Sequence, residues 1–359
     1  MQDIKELSLK ELEDKLLSRR FPKYHARQIF NWIYQKGAFE FSSMSDLPQA
    51  LRKILADDFY ILGLELADLQ RSADGTAKFL FQLKDNNLIE AVNIPAGERL
   101  TGCISSQAGC KFACRLCASG LKGFKRNLSS GEILDEALYL KNNSQDSALT
   151  HIVFMGTGEP LDNYDNVLKA IRVINAPYAF NIGARRITIS TCGIIPGIKR
   201  LQDEELQIEL SISLHAASDR LRSEIMPVNK KYPLADLIGC CQEYIAKTNR
   251  QITFEYTLVK GLNSDSSAAQ KLAALLKELR LAKVNLIAVN PVRNGAVRRG
   301  ISNGASPIPE LKIMPPDKAE IDSFKEHLFK AGINVTLRRE RGQDIAAACG
   351  QLRLKHEKN

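Results

Sequence analysis

The sequence predicts an α/β fold whose larger part consists of parallel β/α units. From about residue 100 onward, short runs of β-branched and other apolar residues alternate with longer helical patterns. This alternation is typical of parallel strands, arranged either as a doubly wound sheet or as a barrel. Residues 1 to about 60 instead have the apolar spacing of helices. Hydrophobic residues make up 44% and charged residues 25% of the 359 positions, an ordinary globular composition that excludes collagen-like, low-complexity and disordered chains.

Three helices are predicted in the N-terminal region. Ser8 and Glu11 form a capping box in front of an apolar pattern of helical period. Pro22 suits the first turn of a second helix that ends near Gly37, and Pro48 begins a third.

A β-rich connector is predicted at residues 61–95. It contains two strand candidates, Lys78–Leu83 and Leu88–Ile94, which the polar turn Lys84–Asn87 separates.

The region from about residue 100 has seven strand candidates and five helix candidates. The strands are expected near Gly102–Ser105 and at His151–Met155, Arg186–Ser190, Gln207–Leu214, Ile252–Val259, Val284–Val289 and Asn334–Leu337. The helices are expected at Gly131–Lys141, Tyr164–Asn175, Leu234–Thr248, Ser266–Leu279 and Pro316–Ala331. This number of strands is close to, but short of, a complete (β/α) barrel.

The chain is basic, because 50 Lys and Arg residues against 41 Asp and Glu residues give a net charge of +9. This charge suits a polyanionic partner, although each basic pair by itself is typical of a solvated face. No apolar run is long enough to span a membrane, and Met1–Leu7 lacks the apolar stretch of a secretory signal. These patterns predict a cytoplasmic protein without a membrane partner.

Four of the eight cysteines lie between Cys103 and Cys117, and three of them have the spacing C-x3-C-x2-C. Cys110, Cys114 and Cys117 could hold three irons of a [4Fe–4S] cluster and leave the fourth iron open. Zinc is the alternative, but structural zinc sites have four ligands, and the chain has no second C-x2-C pair. The sequence therefore favours the cluster. Outside this loop, cysteines such as Cys192 are by default small buried apolar residues, and the same holds for Cys240 and Cys241.

Several motifs resemble the RlmN/Cfr family of radical S-adenosylmethionine (SAM) methyltransferases. In chain order they are Cys103–Cys110, the cluster loop Gly109–Cys117, Phe154–Leu161, Ser190–Gly193, Ser213–His215 and Ala348–Leu352. The resemblance extends over essentially the whole chain. It implies a partial (β/α)6-type TIM-like barrel with a small helical domain in front. The implied organisation is a helical domain at residues 1–60, the connector at 61–95, a radical SAM core at 96–344 and a C-terminal segment at 345–359.

The resemblance also implies roles for three residues outside the cluster loop. Cys349 would accept a methyl group from one SAM molecule. A second SAM, bound to the open iron and reductively cleaved, would yield a 5′-deoxyadenosyl radical that takes hydrogen from this S-methyl group. The methylene radical would add to an adenine carbon, and Glu90 would accept the proton of that carbon. Cys103 would then attack the sulfur of Cys349, releasing the product and leaving a transient disulfide.

The implied SAM site consists of residues at the ends of successive strands. They are Gly158, Glu159, Ser190, Ser213, Leu214, His215 and Asn290. Thr157 departs from the family, which often has Met there, and the sequence offers no functional account of Cys192.

The function implied by the resemblance is methylation of adenine C2 in 23S rRNA and in tRNA. The enzyme would be a monomer that receives electrons from a donor of flavodoxin or ferredoxin type. Arg19, Arg20, Lys23 and Arg27 would hold RNA, unless the helical domain is only a packing cap. Two alternatives stay open, namely methylation of adenine C8, as in Cfr-type enzymes, and a non-catalytic iron–sulfur RNA-binding protein.

Overall fold

The computed structural model of the chain describes residues 1–144, 148–289, 313–338, 341–342, 344–345 and 351–356. Two of the predicted site residues, Asn290 and Cys349, lie outside these ranges. Within the described ranges, no helix has both the length and the apolar character needed to cross a membrane.

The N-terminal region consists mainly of three helices, as predicted: α1 (Leu9–Ser18), α2 (Tyr24–Phe30) and α3 (Gln49–Asp58). The capping box is present at α1, because the Glu11 N–H donates to the Ser8 hydroxyl and the Ser8 N–H donates to the Glu11 carboxylate. Helix α2 continues as a π-helical turn at Asn31–Gln35. The short strands β1 (Gln2–Asp3) and β2 (Phe59–Tyr60) pair in parallel and bring the two ends of the region together.

A ten-stranded sheet and a separate two-stranded hairpin form the framework of the remaining chain. In chain order, the strands are β3 (Leu64–Arg71), β4 (Ala77–Leu83), β5 (Leu88–Ala96), β6 (Arg99–Cys103), β7 (Gln107–Gly109), β8 (Phe124–Asn127), β9 (Leu149–Phe154), β10 (Ile187–Thr191), β11 (Glu209–Ser213), β12 (Ile252–Leu258), β13 (Ala282–Ala288) and β14 (Asn334–Leu337). The hairpin is β7–β8, and the large sheet has the order β14-β13-β12-β11-β10-β9-β6-β5-β4-β3.

Strand β6 and strands β9 to β14 pair in parallel and in sequence order, which confirms the seven predicted strands of the β/α region. Strands β3, β4 and β5 extend the sheet antiparallel at its β6 edge. Because β14 and β3 lie at the two ends of this order, the described strands form an incomplete barrel. The predicted α/β class is confirmed.

Helices follow the parallel strands of the sheet. They are α4 (Ser130–Asn142), α5 (Tyr164–Asn175), α6 (Ile195–Leu201), α7 (Asp219–Ile225), α8 (Leu234–Thr248), α9 (Ser266–Leu276), α10 (Lys318–Lys330) and α11 (Gln351–His356). The five predicted helices correspond to α4, α5, α8, α9 and α10.

One continuous hydrophobic core joins the N-terminal helices to the barrel. It includes Leu12 and Phe30 of the N-terminal region as well as Ile171 and Ile189 of the barrel. Polar contacts reinforce this junction, since the Lys141 ammonium donates to the carbonyl oxygens that end the π-helical turn. The N-terminal region therefore has a fixed position relative to the sheet.

Candidate active site

A cavity of about 220 Å³ opens at the carboxyl ends of the parallel strands. Most of the predicted site residues line it, namely Cys110, Cys114, Cys117, Gly158, Glu159, Ser190, Ser213 and His215. The carboxyl ends of barrel strands are where connecting loops converge and where barrel enzymes form their active sites. The fold thus brings together residues that lie far apart in the sequence.

The cluster loop is closed at its base by the β7–β8 hairpin. Gly109 in this hairpin has a φ of +83°, and a Cβ atom there would overlap the carbonyl oxygen of Gly123. The Cys117 N–H donates to the Cys114 carbonyl at 3.1 Å, which folds the second half of the loop into a turn. The Arg115 N–H donates to the carbonyl of Ile225 at the end of α7 at 2.8 Å. These contacts hold the loop against the barrel.

Two of the three thiols, Cys110 and Cys114, lie in surroundings that disfavour free thiolates. Burial raises the pKa of Cys110 to about 12 and also raises the pKa of Cys114, and the neighbouring cysteines add to both increases. A cationic cluster would offset this repulsion, because metal ligation deprotonates thiols. Three thiols from one loop suit a [4Fe–4S] cluster with an open iron better than a structural zinc site, which takes four ligands.

The turn after β9 provides the wall beside the cluster loop. Its Glu159 carboxylate is 3% exposed and accepts the backbone N–H groups of Cys192 at 2.7 Å and of Leu161 at 3.0 Å. Burial raises the pKa of Glu159. A carboxylate oxygen can accept more than one hydrogen bond, so Glu159 retains capacity for a donor inside the cavity. Thr157 is fully buried behind this wall and is not among the residues that line the cavity.

A buried arginine that the sequence interpretation missed forms hydrogen bonds to the residues that follow β10 and β11. Arg222 is 0% exposed, and its guanidinium donates to the carbonyls of Cys192 at 2.8 Å and Leu214 at 3.2 Å. Burial lowers the pKa of Arg222. Cys192 lines the cavity and its backbone joins Glu159 to Arg222, which gives this residue a structural role. Like Cys192, the other two cysteines interpreted as apolar, Cys240 and Cys241, are buried.

His215 presents a neutral imidazole to the cavity. Its Nδ1 accepts the Thr257 N–H at 3.1 Å, which leaves the proton on Nε2. Burial, together with the nearby Arg222 guanidinium, lowers the pKa of His215 to about 3. Leu214, in contrast, is fully buried in the hydrophobic core, and the cavity lining does not include it.

A second carboxylate in the cavity also escaped the sequence interpretation. Glu255 on β12 is 6% exposed, and the Asn285 side chain donates to it at 2.9 Å. Burial raises the pKa of Glu255, and Arg338, which follows β14 and also lines the cavity, opposes this effect. A charged residue within the apolar strand Ile252–Leu258 is the pattern that could have indicated it.

Glu90 and Cys103 lie beside the cavity rather than in its wall. Cys103 is 6% exposed and belongs to a buried cluster with Val92 and Val153, against which the cavity-lining Met155 packs. Glu90 is 3% exposed on the neighbouring strand β5.

The four basic residues singled out in the N-terminal region are all exposed. Arg19 forms an ion pair with Asp58. Lys23 and Arg27 line a groove of about 1100 Å³ between the N-terminal helices and α5. Basic side chains are thus available to an external partner on this side.

Family profiles match two parts of the chain. The profile described as "Ribosomal RNA large subunit methyltransferase N-terminal domain" matches residues 2–61, and the profile described as "Radical SAM superfamily" matches residues 104–272.

Similar proteins cover the chain from end to end. A protein of Clostridium novyi named "Probable dual-specificity RNA methyltransferase RlmN" is 42% identical over 360 residues, which is 100% of both chains. A protein of the same name from a Thermoanaerobacter species is 41% identical over 359 residues, 100% of this chain and 99% of its own. Among solved structures, a radical SAM methyltransferase from Sphaerobacter thermophilus superposes with a TM-score of 0.89 at 38% identity, covering 98% of this chain and 99% of its own.

Proposed function

Because the chain belongs to the RlmN family of radical SAM methyltransferases, we propose that it methylates C2 of adenine in 23S rRNA and in tRNA. One observation supports this most directly. The three cysteines of the cluster loop open into the same cavity as Gly158, Glu159, Ser190 and Ser213. A cluster with an open iron would there lie beside a pocket able to hold the amino acid part of SAM.

The cofactor assignments follow from this arrangement. Cys110, Cys114 and Cys117 would hold one [4Fe–4S] cluster, which together with SAM supplies a carbon-centred radical when both are bound. The Glu159 carboxylate could accept a hydrogen bond from SAM, and the neutral His215 could donate one to it. Ser190 and Ser213 offer hydroxyl groups. Leu214 would support this site from the core. Asn290, outside the described residues, is proposed as a further SAM contact.

The chain's own residues would carry the methyl group and the protons. Cys349 would accept a methyl group from one SAM molecule, while a second is consumed in radical formation. Glu90 would take the proton from adenine C2. The Cys103 thiolate would then attack the Cys349 sulfur, forming the S–S bond and breaking the S–CH2 bond. The electron pair of the broken bond would stay on the carbon, which takes up a proton to become the methyl group, and the unpaired electron of the RNA adduct would return to the one-electron carrier that supplied it. An external reductant must then restore both thiols.

The proposed partners follow from the charge and the chemistry. Arg19, Arg20, Lys23 and Arg27 would contact RNA phosphates. The cluster needs a one-electron donor, for which a flavodoxin or ferredoxin type is proposed, and the enzyme is proposed to act as a monomer. These RNA substrates are cytoplasmic, and we expect the enzyme in the same compartment.

Analysis of the modified nucleosides tests the proposed function. Anaerobically reconstituted protein should convert adenosine in ribosomal RNA and tRNA transcripts to 2-methyladenosine, detected by mass spectrometry of digested RNA. Cys110→Ala, which removes one cluster ligand, should abolish the product, whereas Cys240→Ala, which changes a buried cysteine outside the site, should retain it. Detection of 8-methyladenosine would assign the chain to the C8 reaction. RNA binding without any methylated product would favour a non-catalytic role.

A further inference from the structure

Lys78 is a buried lysine whose ammonium group contacts the carboxylate of Glu90. The exposed fraction is 0% for Lys78 and 3% for Glu90, and Nζ lies 2.9 Å from Oε2. Removing both charges from water has a large free-energy cost, so a buried ion pair adds little net stability to a fold. Stability alone therefore does not explain why this pair is buried.

The strand register places this pair on the same face of the sheet as Cys103. Leu80 on β4 lies opposite Glu90, and Val92 on β5 lies opposite Cys103. Because side chains alternate between the two faces of a strand, Lys78, Glu90 and Cys103 share one face. Diagonal neighbours in an antiparallel pair are about 7–8 Å apart. The ion pair is therefore adjacent to the cysteine that is proposed to release the product.

The second carboxylate oxygen of Glu90 is bonded to the C-terminal segment. Oε1 accepts the backbone N–H of Arg353 at 2.6 Å, and the Arg353 guanidinium donates to the Ser119 carbonyl at 3.3 Å. Among the described residues, the titratable or charged side chains on this side of the sheet include Lys78 from β4, Asp68 from β3, Arg99 and Cys103 from β6, and Arg353 and His356 from α11. Both Glu90 oxygens therefore have a defined orientation.

Helix α4 packs on the opposite face of β5, where the Asn93 side chain donates to the Leu140 carbonyl at 3.1 Å. Two buried carboxyl groups belong to this helix, Asp135 and Glu136, and Glu136 accepts the Ser105 N–H at 3.1 Å. Burial raises the pKa of Glu136. Strand β7, which also contacts β5, contains only Gln, Ala and Gly.

We propose that Lys78 is a positioning residue for methyl transfer, holding by its ion pair the Glu90 carboxylate that would accept the adenine proton. This role rests on the proposed function. When the C2–H bond breaks, its proton passes to a Glu90 oxygen and its electron pair stays in the adenine ring. A carboxylate beside an ammonium group is ready to accept that proton at neutral pH, whereas a carboxyl group buried without a cation holds its own proton.

The pH dependence of methylation by the Lys78→Met variant tests this role. The acidic limb of the kcat/KM profile for RNA methylation should move to higher pH by about 1–3 pH units. The reason is that a cation this close lowers the pKa of a carboxyl group by about that amount, and the variant lacks the cation. Turnover should therefore fall more at about pH 6 than at about pH 8. Methylation of Cys349 by SAM, read by intact-protein mass spectrometry, should be unchanged because this step does not involve removal of the adenine C2 proton. If Lys78→Met does not yield folded protein, Lys78→Gln serves as the neutral, polar replacement.

Lys5→Met is the matched control for loss of a buried lysine. Lys5 is 1% exposed and lies 2.6 Å from Asp3 and 3.0 Å from Asp135, in the N-terminal region. We expect Lys5→Met to lower stability without moving the acidic limb. An equal shift of the limb in both variants, or loss of Cys349 methylation in Lys78→Met, would overturn the positioning role.

Glu90→Gln distinguishes failure of this inference from failure of the proposed function. A fully active Glu90→Gln variant would show that Glu90 is not the proton acceptor, and the proposed chemistry would fail with it. An inactive Glu90→Gln variant combined with an unshifted limb in Lys78→Met would overturn only the role of Lys78. In the double variant Lys78→Met/Glu90→Gln, the lysine change should cause no further loss of turnover.

Discussion

Gly158 has a backbone conformation that a side chain would oppose. Its φ is +110°, and a Cβ atom would lie 2.6 Å from the Cβ of Gln107. Gly158→Ala should therefore lower the free energy of unfolding by about 2–4 kcal/mol, because the strained backbone and the steric overlap add together. SAM affinity should fall as well, since this turn forms the cavity wall. Denaturant unfolding and equilibrium SAM binding measure the two effects.

Gly183→Ala is the control, because a Cβ atom there would meet nothing within 4 Å. We expect wild-type stability and SAM affinity from this variant. Equal behaviour of the two variants would show that the turn after β9 does not require glycine.

The roles of Cys103 and Cys349 can be distinguished by the species that accumulates in each alanine variant. Cys103→Ala should still accept a methyl group on Cys349 and add to the RNA, but nothing remains to break the S–CH2 bond. The variant should therefore carry covalently attached RNA, visible as a nuclease-sensitive shift in a denaturing gel. Cys349→Ala should form no such adduct. Normal turnover of Cys103→Ala would contradict release through a disulfide.

The residues that the sequence could indicate are those within local motifs. Cys110, Cys114 and Cys117 have a ligand spacing that is visible in a short stretch of chain, and the structure places all three in one cavity wall. Arg222 and Glu255 belong to no such motif, because their partners are distant in sequence and meet them only after folding. The same reason explains why the Lys78–Glu90 contact was not predicted. Their roles in catalysis remain predictions.

Elements with strong local patterns were predicted well. The capping box fixed the start of α1, and α5 and α8 have the predicted bounds because their apolar residues repeat with helical period. Helices α6 and α7 were missed, since their seven residues each are too few for a clear period. The β7–β8 hairpin was also missed, because its pairing spans the cluster loop and has no two-residue turn.

The junction between β1 and α4 contains a buried group of charges with one excess negative charge. Lys5 contacts both Asp3 and Asp135, and burial raises the pKa of Asp135 from its ordinary value of 3.8 to about 7. Between these two pH values, Asp135 keeps its proton in the folded chain but has lost it in the unfolded chain. The free energy of unfolding should therefore fall as the pH rises from about 4 to about 7, by at most about 1.4 kcal/mol per pH unit from this group.

Asp135→Asn should flatten this dependence, because the amide cannot titrate and its oxygen can still accept the Gly63 N–H, which lies 2.9 Å from the carboxylate. Denaturant unfolding at pH 5 and at pH 7 measures the change. Asp57→Asn, at an exposed position, should retain the wild-type dependence. A wild-type slope in Asp135→Asn would show that another group takes up the proton.

At the scale of the whole molecule, the N-terminal region is more than a peripheral attachment. Its core is continuous with that of the barrel, so its surface is held in a fixed relation to the cavity. The net charge of +9 gives the molecule a long-range attraction for polyanions, which raises the rate of encounter. Methylation of a base carbon also requires the adenine to leave its stack, at a cost of a few kcal/mol that is smallest in loops. Contacts to phosphates away from the cavity would offset this cost.

Neutralising the N-terminal basic residues tests whether they supply these contacts. In a variant with Arg19, Arg20 and Lys23 replaced by Gln, RNA affinity should fall by about tenfold or more, because contacts to phosphates are lost. Each phosphate contact on a single strand contributes about 0.7 to the slope of log affinity against log salt, so three lost contacts should lower that slope by about 2. Filter binding over a salt series measures both quantities.

The matched control for this variant makes the same change of charge at Lys271, Lys277 and Lys325. These lysines are exposed and lie on α9, at the C-terminal end of α9 and on α10, respectively. If only net charge matters, the two triple variants should weaken RNA binding equally, which would contradict a specific role for the N-terminal region. If the N-terminal side chains contact phosphates, only their loss should lower the salt slope. SAM cleavage measured without RNA should be unchanged in both variants, because the altered residues lie outside the cavity lining. A loss of cleavage in the N-terminal variant would instead indicate that this region supports the barrel through packing.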